Sequence, residues 1–218
     1  MHSQSEEDYI KTIYYLGLEN KVVSTNDIAS NLKTKPSSVS DMLKKLANKK
    51  YIYYKKYNGS SLTKKGKEIA LSIIRKHRLW ETFLVNQLGF GWDKVHMIAE
   101  QLEHIKSEEL IDKLDEFLNF PKYDPHGDPI PTKLGKIEQK KQRLLSELKA
   151  NENGIITGVK KGTPSLLNFL DKEQINLGDH LIVKEIIEFD GSYYVQINKI
   201  NKVLSDKICN NLLIENND

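Results

Sequence analysis

Four of the six histidines, His77, His96, His104 and His126, fall between residues 77 and 126. Two of them share a short stretch with acids: Asp93 to Ser107 contains His96, Glu100, Glu103 and His104. If that stretch is one helix, at about 100° per residue these four side chains span an arc of roughly 100° on one face. Val95, Ile98, Ala99, Leu102 and Ile105 form an apolar stripe beside them. Upstream, His77 and Glu81 stand at i and i+4, again on one face. Carboxylates and imidazoles crowded in this way raise one another's pKa unless a cation lies among them. Oxygen and imidazole donors with no thiolate nearby suit Mn²⁺ or Fe²⁺ better than a soft-ligand metal. Any one such His or Glu is more often a surface group or a satisfied core residue; the joint spacing is what points to a metal.

The elements that position this cluster are reached through the charge pattern. Residues 1–76 carry a net +8, residues 77–126 a net −5, and residues 127–218 balance, within an overall +3. A basic head and an acidic middle point to an anionic partner for one and a cationic partner for the other. The head predicts a helix over Glu7 to Leu18 after Ser5 as N-cap. A second helix starts at Ser24-Thr25 and carries Ile28, Ala29 and Leu32. A turn, Lys33-Thr34-Lys35, leads to Pro36 and a third helix with Val39, Met42, Leu43 and Leu46 inward. Pro is favoured in a first helical turn, where its missing N–H is no loss. Two short helices around a tight turn predict a helix-turn-helix.

Tyr51 to Tyr57, Asn58-Gly59 and Ser60 to Thr63 then read as a hairpin, the wing of a winged helix. Between Lys44 and Lys67 there are nine lysines and no acid, a charge density that calls for a polyanion opposite, and duplex DNA is the expected partner. Lys35, Ser37, Ser38 and Ser40 at the start of the third helix are expected to meet base edges or phosphates, with Asp41 able to accept from a cytosine amine. Lys44, Lys45, Lys55 and Lys56 are read as phosphate contacts that add affinity without sequence information. The tyrosines are read as wing core.

In this order the stretches Ser5 to Tyr14, Lys35-Pro-Ser-Ser-Val-Ser40, Lys76-His-Arg-Leu-Trp-Glu81, Lys94-Val-His96, Glu100-Gln-Leu-Glu-His104 and Asp124 to Pro131 resemble the diphtheria-toxin-repressor and manganese-transport-regulator family of metal-dependent repressors. The resemblance implies a primary metal site of Asp8, Glu100, Glu103 and His104. It implies a second site at His77, Glu81 and His96, with Asp124 and His126 as further ligands where some manganese regulators carry Cys-Pro-His-Gly. Asp8 and Glu100 stand where iron-sensing members place Met and Cys, and exchanging sulfur for oxygen shifts the preference towards Mn²⁺, with Fe²⁺ second. Lys11 departs from members with a paired-manganese site, which use Glu there. No acid or amide in the C-terminal domain matches those that iron-type members use near Gly162 to Ser165, and the manganese-type aspartate is missing near Lys160-Lys161.

The fold class expected is mainly α with a small β domain: a winged helix-turn-helix over 1–73, a helical metal-binding and dimerisation domain over 74–131, a linker over 132–142, and an SH3-like β-barrel over 143–218. The last resembles the module of ferrous-iron-transport accessory proteins over about 143–216, with Asn151 where that module usually has Gly. The function implied is a metal-activated repressor of metal-uptake genes, working as a homodimer on a double-stranded operator. No apolar run of about 18 residues predicts a membrane span, and Met1 to Ile10 lacks the apolar core of a secretory signal. A single cysteine, Cys209, fits a reducing cytoplasm. A metallohydrolase would need a nucleophile or separate general base that the spacing does not supply. A metal-independent regulator sensing a small ligand would leave the His/Glu spacing merely structural.

Overall fold

The computed structural model describes residues 2–138, 141–160 and 162–215. Helix α1 (Gln4–Glu19) opens on Ser3, whose side chain accepts the Glu6 N–H while Glu6 reaches back to the Ser3 N–H. This capping box satisfies two amides that the first turn leaves without a helical partner. The cap therefore lies two residues before the Ser5 expected from sequence; Asp8, the acid three residues after Ser5, is turned to His104 instead. Tyr9, Ile10 and Ile13 line its buried face.

Helices α2 (Thr25–Asn31) and α3 (Pro36–Asn48) form the helix-turn-helix, with Ser24 capping α2 and Pro36 in the first turn of α3. Strands β1 (Ile52–Lys55) and β2 (Gly59–Leu62) form the wing. Its turn is longer than the expected Asn58-Gly59 pair: Gly59 is already paired with Lys55, and Tyr57 takes the left-handed conformation at φ 68. Gly59 is needed for another reason, since a Cβ there would meet the Val23 carbonyl oxygen at 2.6 Å, where Val23 and Ser60 exchange backbone hydrogen bonds. The wing tyrosines divide. Tyr51 is buried, but Tyr53 is 68% and Tyr57 92% exposed, so the latter two are not wing core.

Helix α4 (Lys64–Asn86), α5 (Trp92–Leu102) and α6 (Glu108–Phe117) follow. Helix α5 stops at Leu102 because the Ile105 N–H closes back on the Leu102 carbonyl at i+3, so Glu103 and His104 lie in a turn beyond it. The single helical face expected over Asp93 to Ser107 is therefore divided. None of the described helices is long and apolar enough to cross a membrane.

The chain groups into two compact units. One comprises Met1–His77, Glu100–Asp112 and Pro131–Ile137, the other Arg78–Ala99, Lys113–Ile130 and Glu138–Asp218. The first has its core in Ile10, Ile13, Ile28, Leu43, Leu46 and neighbours. The second contains β3 (Arg143–Leu144), β4 (Asn153–Val159), α7 (Pro164–Lys172), β5 (His180–Ile186), β6 (Tyr193–Ile197), β7 (Ile200–Leu204), α8 (Asp206–Cys209) and β8 (Leu212–Glu215). Its strands form one antiparallel sheet in the order β3-β8-β4-β5-β6-β7, with β3 and β7 at its edges, so among the described residues strand pairing does not close the expected barrel; Leu145, Ile156, Leu170, Val183 and Val195 lie in its core. Register shifts between Ile156 and Gly158 and between Val183 and Glu185 mark the bends, as bulges do in strongly coiled sheets. Asn151 sits at φ 70; Asn is the commonest substitute for Gly in that region.

Candidate metal centre

In the first unit, α1 presents three consecutive acids to three different places. Glu6, 1% exposed, accepts from Lys49, the C-cap of α3, at 2.6 Å and lies 3.0 Å from Lys45 on α3. Glu7 accepts from His104 Nδ1 at 2.6 Å. Asp8 Oδ1 is 3.2 Å from His104 Nε2. Successive helical residues diverge by about 100°, which is how one turn reaches both the third helix and the turn after α5.

Glu103 is fully enclosed: Lys11 Nζ donates to its Oε1 at 2.6 Å, and its Oε2 is 2.6 Å from His77 Nδ1. Glu100 is half exposed and lies 3.6 Å from the same Lys11 ammonium. Burial pushes the Asp8 carboxyl above its usual pKa, against the pull of His104 and Lys11. Asp8, Glu103 and His104 each bring one donor atom within 4.8 Å of the others. Hard cations take oxygen donors at about 2.0–2.6 Å, so two donors of one ion can lie up to roughly 4–5 Å apart. The donor set, two carboxylates and an imidazole with Glu100 at the rim, fits one hard or borderline divalent cation. Lys11 already supplies one positive charge where a second ion would be needed, so the geometry does not fit a pair.

The second unit holds another cluster. Glu81, buried on α4, has Oε1 3.2 Å from His96 Nδ1 and Oε2 3.6 Å from His126 Nδ1. Asp124 Oδ1 accepts the backbone N–H groups of His126 and Asp128 at 2.8 and 2.9 Å, and Arg78 Nε approaches its other oxygen at 3.5 Å. Glu81, Asp124 and His126 also bring donors within 4.8 Å of one another. Burial, with Asp128 and Glu81 adding repulsion, raises the Asp124 pKa well above the carboxylate range. Burial works against the His126 imidazolium, but Glu81 and Asp124 outweigh it and raise that pKa too. An acid and an imidazole both biased towards holding protons mark a place short of positive charge, which a cation would supply.

The loop that carries Asp124 and His126 is tied to the β domain by main chain. The His126 carbonyl accepts from Val159 N–H at 3.2 Å, and a Cβ on Gly127 would lie 2.0 Å from the Thr157 carbonyl oxygen. Trp92, which packs on the β-domain core, stacks edgewise on His126 at 6.2 Å.

The nine candidate ligands thus separate. Asp8, Glu103 and His104 come together, with Glu100 at the edge; Glu81, Asp124 and His126 come together, with His96 against Glu81. His77, one turn before Glu81 on α4, directs Nδ1 to Glu103. Lys161 lies outside the described residues, and Lys160 uses its N–H on the Asn211 carbonyl. Cys209 is buried and its thiol is pushed up to about 12 by desolvation, so no thiolate competes.

On the DNA side, Lys35, Ser37, Ser38 and Asp41 are exposed around the start of α3. Asp41 pairs with Lys44 at 3.0 Å, and the Ser40 hydroxyl donates to the Pro36 carbonyl. Lys55 and Lys56 are exposed on the wing. The lysine run is not wholly uncompensated, as its lack of local acids suggested, because Glu6 meets Lys45 and Lys49 from a distant helix. Glu6 and Glu7 were missed as functional residues. The Ser3-x-x-Glu6 spacing could have flagged the cap, but no sequence signal gives their long-range partners.

Comparison with known proteins follows the same division. Residues 1–60 match the iron dependent repressor N-terminal DNA binding domain, residues 63–132 the iron dependent repressor metal binding and dimerisation domain, and residues 143–216 the FeoA domain. The HTH-type transcriptional regulator MntR of Bacillus velezensis is 35% identical over 153 residues, covering 70% of this chain and 98% of that relative. The MntR of Bacillus pumilus is 35% identical, over 67% of this chain and 99% of its own. A manganese-dependent transcriptional repressor solved in complex with manganese superposes with a TM-score of 0.81 at 32% identity, covering 97% of this chain and 100% of that one. The chain belongs to the diphtheria-toxin-repressor and manganese-transport-regulator family, in the long form that ends in a FeoA domain.

Proposed function

We propose that the protein is a manganese-responsive repressor of metal-uptake genes, with Fe²⁺ as a second activator, acting in the cytoplasm as a homodimer on double-stranded operator DNA and without catalysis. The division of labour is 1–73 for DNA, 74–131 for metal and dimerisation, 132–142 as linker and 143–218 as the SH3-like domain. The observation that carries this reading is the single turn of α1 in which Glu7 and Asp8 reach His104 while Glu6 holds Lys45 of the DNA-reading helix and Lys49 at its C-cap.

Asp8, Glu100, Glu103 and His104 would hold the primary ion; His77, Glu81 and His96 would hold the second, with Asp124 and His126 as further ligands. A bound divalent cation supplies the charge that lets these carboxylates converge. The chain does the rest. Asp8 fixes the start of α1 against the turn after α5. Through Glu6, that fixes the inclination of α3, whose N-terminal Lys35, Ser37, Ser38, Ser40 and Asp41 face the major groove. Lys44, Lys45, Lys55 and Lys56 take phosphates. Leu88 and Met97, both more than half exposed, are suited to a subunit contact. The manganese in the similar solved repressor supports the choice of metal.

The test is anaerobic binding to a metal-transporter promoter fragment at fixed salt, titrated with Mn²⁺, Fe²⁺, Zn²⁺ and chelator. Binding that appears with Mn²⁺ and vanishes with chelator is expected. Equal binding in chelator would replace the metal switch with a ligand-sensing regulator.

A further inference from the structure

We infer that Glu7 is the positioning residue of the primary centre: it fixes the tautomer and rotation of His104, so that Nε2 is presented to Asp8 and Glu103. The inference rests on the reading of Asp8, Glu103 and His104 as that centre. Glu7 is a buried carboxylate whose Oε2 lies 2.6 Å from His104 Nδ1. A carboxylate only accepts, so the proton of that bond is on Nδ1. With Nδ1–H committed, Nε2 is the one ring nitrogen left to offer a metal a lone pair, and it stands 3.2 Å from Asp8 Oδ1 and 3.9 Å from Glu103 Oε1.

Two acceptors thus face one lone pair, an arrangement that a cation between them completes. Glu7 cannot be a ligand of that same ion while it holds Nδ1, because it sits on the opposite side of the ring. It is absent from the three residues whose donors converge. Its other oxygen faces His2 Nε2 at 3.8 Å, away from Asp8. A carboxylate accepting from the far nitrogen also makes the imidazole a stronger donor. Glu7 and Asp8 are neighbours on one helix and hold the two nitrogens of one ring, so α1 and the turn after α5 are indexed to each other by His104.

The experiment uses the full chain as wild type, Glu7→Ala, Glu7→Gln and His104→Ala. Long-range ¹⁵N–¹H imidazole spectra of the metal-free proteins read the tautomer, and electron paramagnetic resonance of free Mn²⁺ reads affinity. Wild type is expected to hold His104 as the Nδ1–H form. Glu7→Ala should shift it towards the Nε2–H form and weaken Mn²⁺ binding by about 10–100-fold. Glu7→Gln, which still offers an amide oxygen, should keep the tautomer and lose less than about 5-fold, within the range that orientation alone governs. Glu7→Ala with wild-type affinity, or with an unchanged tautomer, would overturn the inference. So would Glu7→Gln as weak as Glu7→Ala, which would make the charge itself the ligand. Wild-type Mn²⁺ binding by His104→Ala would instead sink the reading of the centre, and Glu7's role at a metal with it.

Discussion

The two acid–imidazole clusters use nearly the same side chains and are built in opposite ways. At Asp8, Glu103 and His104 the contacts between segments described above are made by side chains, and a resident ammonium, Lys11, already offsets part of the negative charge. At Glu81, Asp124 and His126 the loop is held by main chain, through two amides on Asp124 and the His126 carbonyl on Val159. There the Arg78 guanidinium lies beside Asp124, yet burial still raises the Asp124 pKa. A cluster held by side chains can change the position of a helix when its charge changes. A cluster whose loop is fixed by backbone is suited to stabilising what it already joins. The first is thus suited to switching DNA affinity, and the second to strengthening the attachment of the β domain.

The contrast breaks most visibly at Glu103. Glu103→Gln keeps the shape but removes the charge that Lys11 and His77 face. It should lower Mn²⁺-activated operator binding at least about 100-fold, the loss of a ligand exceeding the loss of an outer-shell partner. A fluorescence-anisotropy isotherm like that of wild type would end the distinction between the clusters.

Asp124→Asn should cost less for DNA, about 10-fold or below, while removing one equivalent of Mn²⁺ in calorimetry. It also has a pH signature. The folded-state pKa of Asp124 is raised, so its favourable contribution is present at acid pH and is lost as pH rises through that value. Metal-free wild type should therefore lose stability between about pH 4 and 7 relative to Asp124→Asn. Urea titrations at both pH values that shift in parallel would contradict the assignment.

Glu6 has the opposite sign. Its pKa is lowered to about 2: Lys49, the Ser3 amide and Lys45 together outweigh the desolvation that would raise it. Its contribution is present above about pH 4.5 and is lost as pH falls towards 2. With two half-exposed lysines as partners, about 1–2 kcal/mol is a screened expectation. Glu6→Gln should flatten the acid limb of the melting curve of the winged helix; an unchanged limb would show that the pair contributes nothing.

The smallest effect concerns salt. Lys56→Ala should lower the slope of log K against log salt by about 1, and Lys45→Ala by less, because Glu6 already shares its charge. Equal slopes would mean that Glu6 releases Lys45 completely on DNA.

Much of the fold was legible because local chemistry marks it: Pro36 opens α3, Ser24 caps α2, and Asp190-Gly191 turns between β5 and β6. The grouping of Glu103 with Asp8 was legible only through family order, since 95 residues separate them and no periodicity spans such a gap. Extending the helical arc of His96 to Glu103 and His104 failed because α5 ends at Leu102, and a tight i+3 turn has no composition signal of its own. Glu7 escaped notice because adjacent acids at a helix start read as dipole partners. That reading is correct for the charge and silent about the imidazole opposite.

The three acids Glu6, Glu7 and Asp8 carry one more consequence. Each can be exchanged for a similar residue with a graded effect, because each makes its own contact: Glu6 with lysines, Glu7 and Asp8 with different nitrogens of His104. Adding or deleting one residue just before them, on the C-terminal side of Ser3, is different. Adding one would turn the whole turn by about 100°, sending Glu6 towards the imidazole and Asp8 to the place of the buried Tyr9 while composition barely changes. What must be inherited unaltered at this end of the chain is therefore its count, more than its spelling. Among related sequences, gaps should be excluded from this turn even where substitutions are frequent.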